Sequence, residues 1–350
     1  MKHQKTHRLG YQIAFMAVAL ATLSLLGLVS ITGDWFSRDA GWDATTITNN
    51  ADAVMVDQLV MTDSAEAFGK GSLVRVALDK EVDQPICIVL DDKRERAFPR
   101  EGDWLSPEVE TDRPFVELLP SWNAQTPADT GVRFDVRVRD AASGQWTDWL
   151  YIGSWGRTVN DLTRKIESDA ARVKIDELEL SKPADAYQIR GRLYSFSFDP
   201  TVVPTVRRVA VCYSGEEAFA TGQRDDVKLV ERTGHAKDWR RDLPVPFRPQ
   251  GDSPKPLQQQ ICSPTSTSMV MQYWGVNRPT VENAMAIYDA EYELFGNWNR
   301  AVQRAAELGL DGWLTRFRNW KQVHPFLQAA GRVAPQTAGP HRWAVTFGSL

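Results

Sequence analysis

The stretch Leu257–Gly275, LQQQICSPTSTSMVMQYWG, decides how the C-terminal part of this chain is read. Ser263 can cap a helix whose first residue is Pro264, because the fixed φ of proline suits the first helical position. Met269, Val270, Tyr273 and Trp274 recur at helical spacing and predict a broad apolar face. Gly275 is a natural stop, and Pro279 follows soon after. Cys262 then falls just ahead of a buried helix, where backbone N–H groups have no partner inside the helix. Such a position favours a thiolate over a thiol.

The segment ICSPTSTSMVMQYWG, taken with the later GNWNRAVQRAAELGL and the strand-like WLTRFRNW, resembles the papain-like cysteine peptidases of the bacteriocin-processing, double-glycine-peptidase-like group. More narrowly it resembles their secreted bacterial branch, which carries a β-rich domain ahead of the peptidase domain. The resemblance runs from Val245 to Gly331. It implies a Cys–His pair, a third polar residue that orients the histidine, and an upstream glutamine that lines the oxyanion hole. By motif Cys262 takes the nucleophile's place. Gln250, closing the VPFRPQ segment, takes that of the glutamine, with Gln258, Gln259 and Gln260 as rivals by nearness to the cysteine.

A histidine is needed on physical grounds as well. A cysteine at its ordinary pKa of about 8.5 is mostly thiol at neutral pH. A helix N-terminus contributes about 0.3–1 kcal/mol, less than one pKa unit. Of the five histidines, His3 and His7 precede the apolar N-terminal run, His235 lies in a charged connector, and His324 falls in a helix expected after Asn319. His341 precedes the apolar run RWAVTFG, which is loosely similar to the family's Gly-His-strand pattern. Pro340 stands where that pattern has glycine, and neither Asp nor Asn occurs after Asn319. The His/Asn part of the triad is thus poorly represented, and the expected α+β papain-like domain has incomplete C-terminal strands.

At the other end, Lys2, Lys5 and Arg8 precede an uncharged run from Leu9 to Gly33. Its length suffices to cross a bilayer. Residues 1–34 read as a signal anchor, with a cleaved signal peptide as the alternative. The basic flank keeps the N-terminus cytoplasmic and places the bulk of the chain in the periplasm or outside the cell. Residues 35–52 read as a polar tether. Residues 53–220 read as an all-β sandwich of about eight short strands: LVRVAL, ICIVL, FVELL, VRFDVRVR, WTDWLYIG, VKIDELEL, IRGRLYSFSF and VRRVAVCYS. In VRFDVRVR the strict alternation turns Val132, Phe134, Val136 and Val138 inward and Arg133, Asp135, Arg137 and Arg139 outward. Residues 221–256 read as a linker and 257–350 as the peptidase domain, with helices starting at Thr280 and at Asn297 and a strand at 313–317.

With 41 basic and 45 acidic residues and a formal charge of −4, nothing in the charge balance calls for nucleic acid. The thirteen tryptophans suit a β-sandwich core. Three widely spaced cysteines and scattered histidines give no metal cluster, and no cofactor is implied. Cys87 and Cys212 sit in apolar strands, where both a disulfide and two reduced thiols are open. The function that follows is an exported, membrane-tethered, cysteine peptidase-like protein acting on a peptide, protein or cell-wall substrate. Its alternatives are a non-catalytic cell-surface binding protein that uses the β-sandwich, and an NlpC-type cell-wall amidase.

Overall fold

Period-two sequences such as VRFDVRVR pair edge to edge into ladders, and ladders dominate the molecule. A computed structural model describes residues 59–79, 88–94, 98–159, 164–215 and 244–316, together with the backbone of 342–347. The apolar N-terminal run, the tether, Cys87, the helix expected after Asn319 and His341 lie outside these residues. No helix among the described residues is long and apolar enough to cross a membrane. Contacts group residues 59–215 with Asn297–Thr315 in one compact unit and place 244–296 in another.

The first unit holds β1 (Leu59–Thr62), α1 (Ala65–Gly69), β2 (Ser72–Val74), β3 (Val76–Leu78), β4 (Ile88–Leu90) and β5 (Arg100–Leu105). It continues with β6 (Val109–Gln125), β7 (Thr130–Asp140), β8 (Leu150–Gly156), β9 (Ala171–Lys174), β10 (Glu177–Ser195) and β11 (Thr205–Ser214). All eleven strands belong to one ladder. The strands outnumber the eight or so that the sequence suggests, and two of them, β6 with 17 residues and β10 with 19, are longer than any segment expected. β10 pairs with β9 and β6 in its first half and with β5 and β7 in its second. Register shifts between Glu179 and Ala186 let it change layers.

Two expected single strands are broken by residues with positive φ. LVRVAL divides at Arg75, φ 56°, whose carbonyl turns toward Gly102. A Cβ on Gly102 would lie 2.3 Å from that oxygen, so only glycine fits opposite the break. VKIDELEL divides at Ile175, φ 65°, and becomes the hairpin between β9 and β10.

The alternation in β7 holds on its inner face, where Val132, Phe134, Val136 and Val138 are all buried and Phe134 stacks on Trp122 at 4.6 Å. Its outer face departs from expectation. Arg133 and Asp135 are buried, not exposed. Asp135 is paired with Arg133 at 2.8 Å and with Arg190 at 3.1 Å. The cover comes from aromatic rings: Arg133 lies over Tyr151, Arg190 over Trp149, and Arg137 over both Trp146 and Trp149 at 4.7 and 5.0 Å. Arginine stems and ring faces thus exclude water from a sheet face whose residue types are polar.

Asn297–Thr315 supplies α4 (Trp298–Glu307) and β12 (Leu310–Thr315) to this unit. Asn297 caps the helix as expected, accepting from Arg300 N at 3.1 Å, and Gly309 ends it with φ 86°. The strand begins earlier than Trp313 because Leu310, Asp311 and Gly312 already lie against β6. Val302 and Leu314 join Leu119 and Cys212 in a buried apolar cluster. The fastening is polar as well. Gln303 accepts from Ala124 N at 2.9 Å and donates to Ala124 O at 2.8 Å. Asn123 donates to Gly312 O at 2.7 Å and accepts from Gly312 N at 3.1 Å. Each amide side chain stands in for a strand neighbour.

The second unit contains α2 (Cys262–Tyr273) and α3 (Thr280–Ile287), preceded by an extended segment and a short turn of 3₁₀ helix at Gln250–Asp252. Near the C-terminus Arg342–Phe347, RWAVTF, forms β13.

Candidate functional site

The site is assembled around the first turn of α2. The helix starts two residues earlier than the expected proline start. Ile261, not Ser263, is the N-cap, and Cys262 is the first helical residue. Thr265 closes the turn twice on Ile261 O, through its N–H at 2.9 Å and its hydroxyl at 2.7 Å. Pro264 then occupies the third position, still within the turn where a missing N–H costs nothing. The stop is as expected: Gly275 has φ 84°, its N–H bonds to Gln272 O at 2.9 Å, and Val276 N bonds to Met271 O at 2.8 Å.

The buried face of α2 differs from the aromatic and aliphatic face expected. Met271, Tyr273 and Trp274 are buried, but so are Pro264, Thr265 and Ser268, whereas Met269 and Val270 are only half-buried. Ser268 satisfies its hydroxyl on Pro264 O at 2.7 Å and accepts from Asn283 Nδ2 of α3 at 2.9 Å. Small hydroxyl residues bonded back to their own helix can be buried without cost from an empty donor. Asn283, fully buried, was not singled out by periodicity; an amide inside the apolar run TVENAMAI is its only sequence signal.

Cys262 is half-buried. Burial raises its thiol above the ordinary range, and the N–H groups of Ser263 and of Cys262 itself act in the opposite direction. Burial prevails, so the helix start alone leaves the sulfur protonated at neutral pH. This agrees with the physical need for a base.

The segments leading to Cys262 are held by side chains. Arg248 donates from Nε to Gln272 Oε1 at 2.7 Å, and from its terminal nitrogens to Arg278 O and Asn277 Oδ1, each at 2.5 Å. It clamps VPFRPQ against the C-terminal end of α2, a role that its place in a proline-rich run did not disclose. Gln250 Nε2 donates to Gln258 O. Gln258 Nε2 returns bonds to Gly251 O at 2.6 Å and Ser253 O at 2.7 Å. Gln260 donates to Pro256 O at 3.0 Å, and Gln259 is exposed. Gln250 and Gln258 therefore lock the turn that delivers Cys262. Ile261 packs with Ala284 and Phe295 beneath it. His341 lies outside the described residues, next to the start of β13.

Comparison with known proteins bears on this arrangement. Residues 62–214 match the family described as the peptidase C39 N-terminal domain. Residues 242–331, which include Gln250, Cys262, Asn283 and Asn297, match the Peptidase_C39 like family. The chain is a C39 peptidase-like protein. The papain-like resemblance of the Cys262 segment, and the β-rich domain it implied ahead of it, both hold in this C39-like chain. No curated protein matches the chain. Among solved structures, similarity is reported to the C-terminal domain of a chitobiase from Bacteroides fragilis, with 12% identity over 42% of this chain and 96% of that one, at a TM-score of 0.18. The Streptomyces albus enzyme HEPD, bound to 2-hydroxyethylphosphonate and Fe(II), shows 14% identity over 98% of this chain and 68% of that one, at a TM-score of 0.10.

Proposed function

We propose that this C39 peptidase-like protein hydrolyses a peptide or related amide bond through Cys262, with His341 as the general base. The observation that carries the reading is the place of Cys262: first residue of α2, half-buried, its sulfur beside the N–H groups of the helix start. The thiolate attacks the carbonyl carbon, and the helix-start N–H groups lie where the resulting oxyanion can accept from them. His341 takes the thiol proton and passes it to the leaving amine. Water then hydrolyses the thioester and restores the thiol. Gln250 fits a supporting role through the turn it locks. In this reading the chain is exported and tethered by its N-terminal run, and the substrate is a peptide or protein met outside the cytoplasm.

The test is the pH profile of Cys262 alkylation by iodoacetamide in the full chain. Pairing with His341 holds the wild-type thiolate well below the pH at which a buried thiol ionises. His341→Ala is expected to move the profile to higher pH, because burial then acts unopposed. Cys262→Ala is expected to reduce peptide hydrolysis by about a thousandfold or more. Superimposable alkylation profiles for wild type and His341→Ala would reject the pairing.

A further inference from the structure

Residues 244–249 form neither helix nor strand, and Arg248 holds them. Its backbone N–H reaches Met269 Sδ of α2 at 3.2 Å. Its guanidinium bonds to the Gln272 side chain near the C-terminal end of the same helix, and to Asn277 Oδ1 and Arg278 O just beyond it. A longer contact, 3.4 Å, runs to Thr280 Oγ1 at the start of α3. All four acceptors are neutral, and among the described residues no carboxylate pairs with this arginine. The hold therefore comes from the rigid fork of the guanidinium rather than from a charge pair. Pro249, with φ −73°, passes it stiffly to Gln250.

From Gln250 the chain returns to α2 at its other end. The Gln250 amide donates to Gln258 O, Gln258 bonds back to Gly251 O and Ser253 O, and Cys262 opens the helix four residues later. The path from Arg248 through Gln250 and Cys262, then along α2 to Arg248 again, is a closed ring of bonded parts. A side-chain amide nitrogen carries two hydrogens. Only one of those on Gln250 has a partner among the described residues, which leaves a donor beside the turn that delivers the nucleophile. Such a donor stabilises an acyl-transfer oxyanion only when it is held in place beforehand. We infer that Arg248 is a positioning residue: by closing the ring it sets the Gln250 amide against Cys262, so that the spare N–H meets the oxyanion. This role rests on Cys262 as the nucleophile and is independent of His341.

Two reagents separate a step that needs an oxyanion from one that does not. p-Nitrophenyl acetate acylates a thiolate through a tetrahedral oxyanion and releases p-nitrophenolate. Iodoacetamide alkylates the same sulfur by displacing iodide, with no oxyanion. Both rates are measured on the full chain at one pH, with Cys262→Ala as the blank, and read as the ratio of acylation to alkylation. The ratio is expected to fall about a hundredfold in Gln250→Ala. In Arg248→Lys, which keeps the charge and loses the fork, it should fall about tenfold while alkylation stays unchanged. Combining Arg248→Lys with Gln250→Ala should match Gln250→Ala alone, because the arginine acts through the glutamine. Asn277→Ala, an exposed change that removes one acceptor of the fork, should lower the ratio about threefold, and it decides the matter if Arg248→Lys does not fold. An unchanged ratio in Arg248→Lys or, failing that variant, in Asn277→Ala overturns the proposal. So does an equal loss of alkylation and acylation, which marks a merely structural clamp. Release of p-nitrophenolate undiminished in Cys262→Ala rejects the nucleophile itself, whereas a ratio that falls in Gln250→Ala but not in Arg248→Lys rejects only the part given to Arg248.

Discussion

Two helices of the same C39-like segment behave in opposite ways. α2, which carries Cys262, satisfies its buried polar groups almost at home: Thr265 and Ser268 bond to carbonyls one turn back, and Ser268 reaches only to the next helix. α4 depends on a partner distant in sequence. Gln303 bonds to both backbone groups of Ala124, and Glu307 Oε1 accepts from Thr126 Oγ1 and Trp155 Nε1. The family match spans both helices, yet the contacts divide them. A stretch recognised as peptidase sequence is therefore part of the β domain's own hydrophobic core, and the chain crosses from one unit to the other between Gly296 and Asn297.

The sharpest way to break that comparison is to remove the segment. A fragment of residues 53–220 lacks Val302, Leu314, Gln303 and the backbone of Gly312, so the cluster around Leu119 and Cys212 is opened and Asn123 loses both bonds. It is expected to show no cooperative urea transition, whereas a single chain that joins 53–220 to 297–315 through a flexible linker should regain one. Cooperative unfolding of the fragment alone would make α4 and β12 passengers. Next in size is Gln303→Ala in the full chain. It leaves Ala124 N and O unpaired inside the protein and is expected to cost about 2–4 kcal/mol by urea denaturation. Removing the cap with Asn297→Ala should cost about 1 kcal/mol by the same measurement. Ser268→Ala in α2 gives up the bond to Pro264 O and the one accepted from Asn283 of the next helix, and is expected to cost about 1 kcal/mol, less than Gln303→Ala. If Ser268→Ala proves more damaging than Gln303→Ala, the contrast between the helices is reversed.

Much of this was legible in the residues. The inner face of β7, the Asn297 cap, the glycine stops at Gly275 and Gly309 and the position of Cys262 near a helix start all follow from local pattern and cap chemistry. Patterns fail where the deciding partner is remote. Alternation cannot say that Arg133 and Asp135 will be roofed by Tyr151 and neighbouring tryptophans, because the roof comes from another strand. Helical periodicity cannot show that Gln303 bonds to Ala124, nor can motif order show that Asn297–Thr315 folds with the β unit. The start of α2 was misplaced by two residues because Ser263 and Pro264 make a strong cap signal, while Thr265 closes the turn from the other side of it.

The arginine and aromatic layer on β7, β8 and β10 has one more consequence. Flat indole faces on a surface strand are the usual landing places for sugar rings and bases. Here the Trp146 face meets Arg137, and Trp149 meets both Arg137 and Arg190. A saccharide arriving at either ring would have to displace a guanidinium already seated there. On the faces so covered a sugar ring competes with an internal cation, and a count of tryptophans says little about appetite for carbohydrate.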